Sequence, residues 1–370
     1  MTITSRNRPF SRAQIRELLE GKDDDWLFSR AALATELEFG NEVYLRAIVE
    51  FSNYCANQCH YCGLRAANRA LGRYRLSTDS ILGAVHRAAA NDIGSVVLQS
   101  GDDSYFRADT IGWLIREIKA RHDIAITLSL GERPADELGL WRYAGADRYL
   151  LKMETFDRTL FERCRPGADF DGRLKQLEWL AAMGYQVGSG IIVGLPGMTL
   201  DTLAADIEAL CDLNLDMIAC GPFIPHPQTP FAAAKSGDVL SCQRVTALLR
   251  LLNPGANIPA TSALEVLKPG ARLKSLRRGC NVVMPSFTPE DVNANYNIYP
   301  GKNGSNGDAR ARLHALRAAL AAEGLVAASC RGDAKTRRYR RQPGVNANSE
   351  NKTQSENKIQ SRRSKHVSGH

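Results

Sequence analysis

From Val43 the chain runs Val-Tyr-Leu-Arg-Ala-Ile-Val-Glu-Phe, a segment rich in β-branched and aromatic residues that predicts a strand. Short apolar runs of the same kind recur at Ser95–Gln99, Ala125–Leu130, Arg148–Lys152, Gln186–Val193, Asp216–Cys220, Asn257–Thr261 and Val282–Met284. Between them, helical spacing of apolar residues predicts helices over Thr78–Ala90, Asp109–Arg121, Arg133–Tyr143, Arg173–Met183, Leu200–Leu213 and Ser241–Leu252. Ahead of the first strand, Ser11-Arg-Ala-Gln14 has the form of a capping box before a helix through Leu19. Ser29–Phe39 reads as a second helix stopped by Gly40.

Strands separated by helices pair in parallel, because only a crossover long enough to hold a helix returns the chain in the same direction. Eight such units predict an α/β fold of the (β/α)8 TIM-type barrel class, with an open doubly wound sheet as the alternative. The expected division is a helical extension over residues 1–42, a barrel domain over 43–330 and a basic tail over 331–370. In a barrel of this class the site forms where strands end, at their C-terminal mouth. Those ends carry Gln99-Ser-Gly-Asp-Asp103, Ser129-Leu-Gly-Glu132, Met153-Glu154-Thr155, Gly194-Leu-Pro-Gly197, Gly221–His226, Thr261-Ser262 and Met284-Pro-Ser-Phe.

The net charge of +8 belongs to the tail: residues 331–370 hold 11 Lys or Arg against 3 Asp or Glu, so the remainder sums to zero. That tail is polar and poor in apolar residues, a composition that predicts disorder. Its Arg337-Arg338-Tyr339-Arg340-Arg341 run could meet nucleic acid, but a solvated appendage is the preferred reading. No apolar run reaches the length of a membrane span, and the N-terminus lacks a secretory pattern, so a cytoplasmic protein is expected.

The end of the first strand carries the chemistry. In Phe51-Ser-Asn-Tyr-Cys55-Ala-Asn-Gln-Cys59-His-Tyr-Cys62, three thiols fall within eight positions. Thiolates are soft ligands suited to zinc or an iron-sulfur cluster. A structural zinc normally takes a fourth side chain, and none follows nearby; a four-iron cluster held by three thiolates keeps one iron open. Glu154 stands out among the other strand ends, because a carboxylate there is expensive to bury without a polar or cationic partner. Arg173 could pair with a ligand carboxylate bidentately.

The Cys55-x3-Cys59-x2-Cys62 spacing, with Tyr61 before the last cysteine, resembles the ligand loop of the radical S-adenosylmethionine superfamily. Val97–Gly101, Thr127–Glu132, Gly145–Leu150, Gly194–Gly197, Gly221–Pro227, Asn257–Thr261 and Tyr299–Lys302 resemble, within it, the HydE family of FeFe-hydrogenase maturases, beside the biotin synthase and methylornithine synthase families. The resemblance implies one 4Fe-4S cluster on Cys55, Cys59 and Cys62, and S-adenosyl-L-methionine as cofactor, cleaved to a 5'-deoxyadenosyl radical. It implies an organometallic iron substrate, a cysteine-bound iron dicarbonyl cyanide species, with sister hydrogenase maturases and a reductant such as ferredoxin or flavodoxin as partners. By position, Glu154 and Arg173 would bind the cofactor, with Tyr61, Gln99, Ser129 and Glu132 beside them. Arg148, Met153, Thr261, Ser262, Met284, Tyr296 and Tyr299 would line the substrate end, Arg148 meeting an anionic complex. Met153 stands where many members of that family carry His. The alternatives are a radical enzyme acting on an amino-acid-derived substrate, as in the methylornithine synthase family, and an iron-sulfur or zinc protein whose tail binds nucleic acid. Cys164, Cys211, Cys220, Cys242 and Cys280 are expected to be buried packing thiols.

Overall fold

A computed structural model describes residues 9–303 and 308–336. Its strands are β1 (Glu42–Leu45), β2 (Ala47–Ser52), β3 (Ser95–Ser100), β4 (Ala125–Ser129), β5 (Arg148–Leu150), β6 (Gln186–Ser189), β7 (Ile192–Val193), β8 (Met217–Ile218), β9 (Gly221–Pro222), β10 (Val282–Val283) and β11 (Val326–Ala328). β2, β3, β4, β5, β6 and β8 form one parallel sheet in that order. Closure runs through single bridges, Met217 with Asn257 and Pro259 with Val282, after which β10 pairs with β1. β1 and β2 are one strand interrupted at Arg46, so eight strand positions close a barrel. The seventh, expected over Asn257–Thr261, is present only as the two bridging residues.

Helices cover the outside, so the wall strands are buried on both faces, and β2 has no exposed residue. The predicted helices form within a few residues of their expected ends, except that Arg173 lies inside a helix, Phe170–Ala182, rather than at its start. A separate helix, Arg158–Cys164, precedes it. Ser11 makes the expected capping box with Gln14, and Ile15 and Leu19 of helix Arg12–Glu20 enter the core. The second helix begins at Asp24, five residues early, because the Asp23 carboxylate caps Trp26 N–H at 3.1 Å and Asp24 and Asp25 favour its positive end. Asp24 then meets Arg244 of helix Val239–Leu252 at 2.7 Å.

After helix Ala309–Ala322, β11 adds in parallel to β1 at the N-terminal end of the barrel. Residues 331–336 continue across that floor and fold against it, six residues beyond the expected end of the barrel. Gly332 C=O accepts from Arg46 at 3.2 Å and Asn257 at 3.0 Å, Arg331 meets Asp147 at 2.6 Å, and Thr336 Oγ1 donates to Asp216 at 2.5 Å. The remainder of the expected tail, with the Arg337–Arg341 run, lies outside the described residues. Among the described residues, no helix is long and apolar enough to cross a membrane.

Candidate active site

A cavity of about 350 Å³ opens at the C-terminal mouth of the barrel. Cys55, Cys59 and Cys62 lie on its wall with Tyr61, Gln99, Ser129, Glu154 and Arg173; Thr261, Ser262, Met284, Tyr296 and Tyr299 also line it. Glu132 stands behind this lining, paired with Arg173 Nη1 and 3.6 Å from Arg165.

The ligand loop fits closely against the next strand end. A Cβ on Gly101 would stand 2.1 Å from Tyr54 O and 2.7 Å from Cys55 Cβ, so only glycine lets β3 end there. Asp102 N–H reaches Cys55 Sγ at 3.4 Å. All nine cysteines are free thiols. Burial, followed by the neighbouring Cys59, pushes the Cys62 thiol well above its ordinary pKa, so ionised thiolates here call for positive charge. Arg165 supplies one such charge from the protein: its Nη1 lies 3.4 Å from Cys59 Sγ and 3.0 Å from the Tyr61 hydroxyl. Among the described residues no three Cys, His, Asp or Glu side chains meet as ligands of a single ion. Three thiols on one wall, a backing guanidinium and open cavity in front of them suit a cluster whose irons take one thiolate each.

The facing strand ends carry a second polar set. Glu154 follows β5 with φ +70°, a conformation that a residue with a side chain rarely adopts and that clusters at functional sites. Its backbone bridges Ile191, and its carboxylate lies 2.9 Å from Lys152 Nζ. That ion pair lies off the hydrogen-bond direction, so the buried Glu154 Oε2 has no donor. Asp206 holds the turn that follows, accepting from Phe156 N–H at 2.6 Å and Thr155 Oγ1 at 3.2 Å. Arg173, which lines the cavity, donates Nε–H to Lys152 C=O at 2.8 Å and Nη1 to Glu132, and Nη2 takes no part in either bond.

On the remaining wall, Ser262 and Tyr299 share a hydrogen bond of 2.7 Å, and Thr261 Oγ1 is buried without a partner. Below them Glu50 of β2, fully buried, accepts from Ser286 at 3.0 Å, Thr288 at 2.5 Å and Lys302 at 2.8 Å. Burial works against the Lys302 charge, but Glu50 and Tyr299 together outweigh it and raise the pKa.

Two expected site residues stand elsewhere. Arg148 is the first residue of β5 and lies on the barrel floor, where it pairs with Asp333 at 2.5 Å and donates to Ser95 Oγ at 2.8 Å and Arg331 C=O at 2.6 Å. Its charge is already met there, away from the mouth. Met153 is fully buried in the apolar core, while its neighbours Lys152 and Glu154 line the cavity. Asp102, at one of the expected strand ends, lines the cavity, as do Arg165, Lys302 and Arg272, which were not anticipated in these positions. Arg165 follows a helix that the sequence pattern did not predict, and Lys302 is separated by 252 positions from the carboxylate that holds it.

Residues 49–210 match the family model described as the Radical SAM superfamily. The chain is 43% identical over 298 residues to the [FeFe] hydrogenase maturase subunit HydE of Thermotoga maritima, covering 80% of this chain and 85% of that protein. The chain belongs to the radical SAM superfamily. It is also 30% identical to the 3-methylornithine synthase of Methanosarcina acetivorans over 70% of this chain and 74% of that one. The crystal structure of a methylornithine synthase superposes with TM-score 0.76 at 26% identity, covering 86% of this chain and 94% of the other. As a radical SAM enzyme, the protein uses a 4Fe-4S cluster and S-adenosyl-L-methionine.

Proposed function

We propose that this radical SAM enzyme acts in assembly of the FeFe-hydrogenase active-site cluster, processing a cysteine-bound iron dicarbonyl cyanide precursor. The observation that carries this reading is the likeness to HydE over four-fifths of the chain, with the thiol loop, Glu154 and Arg173 sharing one cavity. The cluster and S-adenosylmethionine, when bound, supply reductive cleavage of the sulfonium to a 5'-deoxyadenosyl radical.

The chain's own part is to hold and enclose. Cys55, Cys59 and Cys62 hold the cluster, and Arg165 offsets thiolate charge beside Cys59. Glu154 Oε2, ion-paired with Lys152 but without a hydrogen-bond donor, accepts from the cofactor's ribose hydroxyls or amino group, and Arg173 Nη2 meets its carboxylate. Gln99 and Ser129 add polar contacts at the ends of β3 and β4, and Tyr61 packs beside the cluster. Thr261, Ser262, Met284, Tyr296 and Tyr299 face the substrate from the opposite wall. The closed barrel excludes water around a reactive intermediate. The partners we assign are the sister maturases and a ferredoxin or flavodoxin reductant, in the cytoplasm, where nine cysteines with no disulfide among them are at home.

The test is complementation. Supplied to a host lacking its own HydE, this chain is expected to restore active FeFe-hydrogenase, and Cys59→Ala is expected to lose both cluster absorbance and 5'-deoxyadenosine formation. Failure of complementation with a correctly loaded cluster would favour a second reading, a radical enzyme acting on an amino-acid-derived substrate. The close superposition on methylornithine synthase motivates that alternative.

A further inference from the structure

Most charged groups around the cavity are already engaged. Lys152 is beside Glu154, Arg173 is held by Glu132, Lys302 by Glu50, and Arg165 by Tyr61 and Cys59. Arg272 is different. It is half-buried on the short helix Ala271–Leu276, lines the same cavity, and its guanidinium has no hydrogen bond or ion pair among the described residues. The nearest acid in sequence, Glu265, is occupied by backbone groups, accepting from Gly270 N–H at 2.9 Å and Arg272 N–H at 3.2 Å. Burial depresses the Arg272 pKa, and Glu265 and Tyr299 offset this in part. A partly desolvated guanidinium with no direct ion-pair or hydrogen-bond partner is unfavourable until a ligand supplies one.

We propose that Arg272 is a specificity-determining residue that binds the carboxylate of an α-amino acid moiety in the substrate. This rests on reading the wall bearing Ser262 and Tyr299 as the substrate side of the cavity. The planar fork of a guanidinium matches two carboxylate oxygens, and the hydroxyl pair of Ser262 and Tyr299 lines the same wall. A phosphate fits less well: its further charge would call for a second free cation, and Lys302 is committed to Glu50. A cysteine-bound iron complex and a free amino acid both carry such a carboxylate, so the assignment does not depend on which of them is the substrate.

Calorimetry on the full-length, cluster-loaded protein tests this, with S-adenosylmethionine present and no reductant. The probes are L-cysteine against cysteamine and L-ornithine against putrescine, pairs that differ by the carboxylate alone. The wild type is expected to bind the carboxylate member of at least one pair about 10- to 100-fold more tightly, the range of a hydrogen bond to a charged group. Arg272→Met is expected to lose that preference and Arg272→Lys to recover part of it, with circular dichroism and iron content checking that each variant is folded and loaded. Equal binding within both pairs by the wild type would overturn the proposal, as would a preference that survives in Arg272→Met. Tighter binding of inorganic phosphate than of either amino acid would also overturn it. The maturase reading fails separately, through complementation, and leaves these affinities to decide the carboxylate site.

Discussion

Asp206, on the helix Leu200–Asp212 outside the barrel wall, accepts the backbone N–H of Phe156 at 2.6 Å and so pins the turn that turns Glu154 into the cavity. Burial raises the Asp206 pKa to about 7, against the hydrogen bonds from Phe156 and Thr155 that favour the anion. The native state therefore keeps a proton that the unfolded chain releases near the ordinary 3.8, and the contribution of Asp206 to stability falls as pH rises between those values. Asp206→Asn keeps an oxygen acceptor and has no charge to bury. Urea unfolding at pH 5 and pH 8 is expected to show the variant gaining on the wild type at the higher pH, by on the order of 1 kcal/mol or more. A difference that does not change with pH would rule out this titration.

Gly101→Ala tests how tightly the ligand loop is fitted. The added methyl would overlap Tyr54 O and approach Cys55 Cβ, and one of the two segments must shift. Overpacking of this kind destabilises by about 1–3 kcal/mol. Because the displaced atoms belong to the thiol loop, iron content after anaerobic reconstitution is expected to fall together with stability. Full iron loading at unchanged stability would show that the loop tolerates the shift.

The repeating alternation of apolar runs made the eight-unit barrel and its mouth legible, because strand and helix periods are local. So were the cysteine loop and the exposed ends of strands that bring Glu154 and Ser262 to one cavity. Arg148 was misplaced because its charge drew attention before its position did. As the first residue of its strand it belongs to the N-terminal floor by the same rule that places the site at the other end. Met153 was misplaced because its place beside Glu154 in the chain was taken for a place beside it in the cavity, whereas its side chain packs into the core. The fold of residues 331–336 rests on partners such as Arg148 and Asp216, more than a hundred positions away, which the polar composition of the tail conceals.

Lys302→Met is expected to be more harmful than loss of the pair. It leaves Glu50, with no exposed side-chain surface, as an uncompensated buried anion, and breaking a buried pair in this way costs about 3–5 kcal/mol. In the double variant Glu50→Gln/Lys302→Met the anion is gone, and most of that loss is expected to return. Chemical denaturation of the two singles and the double decides it. Additive losses would mean that the pair is not coupled.

Arg165→Met removes the one guanidinium within hydrogen-bonding reach of Cys59 Sγ among the described residues. A cation beside a cluster favours the reduced, more negative form, so its loss is expected to lower the reduction potential by on the order of 50 mV. Electron paramagnetic resonance during a redox titration measures this. The Tyr61 hydroxyl also loses its partner, and Arg165→Lys separates the two effects by keeping the charge. An unchanged potential in Arg165→Met would assign Arg165 to packing alone.

The floor is tested by two truncations, one ending at Cys330 and one at Thr336, whose difference isolates residues 331–336. The shorter chain loses the Asp333 carboxylate from Arg148 and the Gly332 carbonyl from Arg46, two arginines buried inside the barrel base. Burial already lowers the Arg46 pKa strongly, and Nε has no hydrogen-bond partner, so little remains to stabilise the charge once Gly332 is gone. Stranding buried charges destabilises by several kcal/mol. The chain ending at Cys330 is therefore expected to unfold at clearly lower denaturant concentration than the chain ending at Thr336. If the two unfold together, water entering from below solvates the arginines adequately, and the segment is a cover rather than part of the barrel.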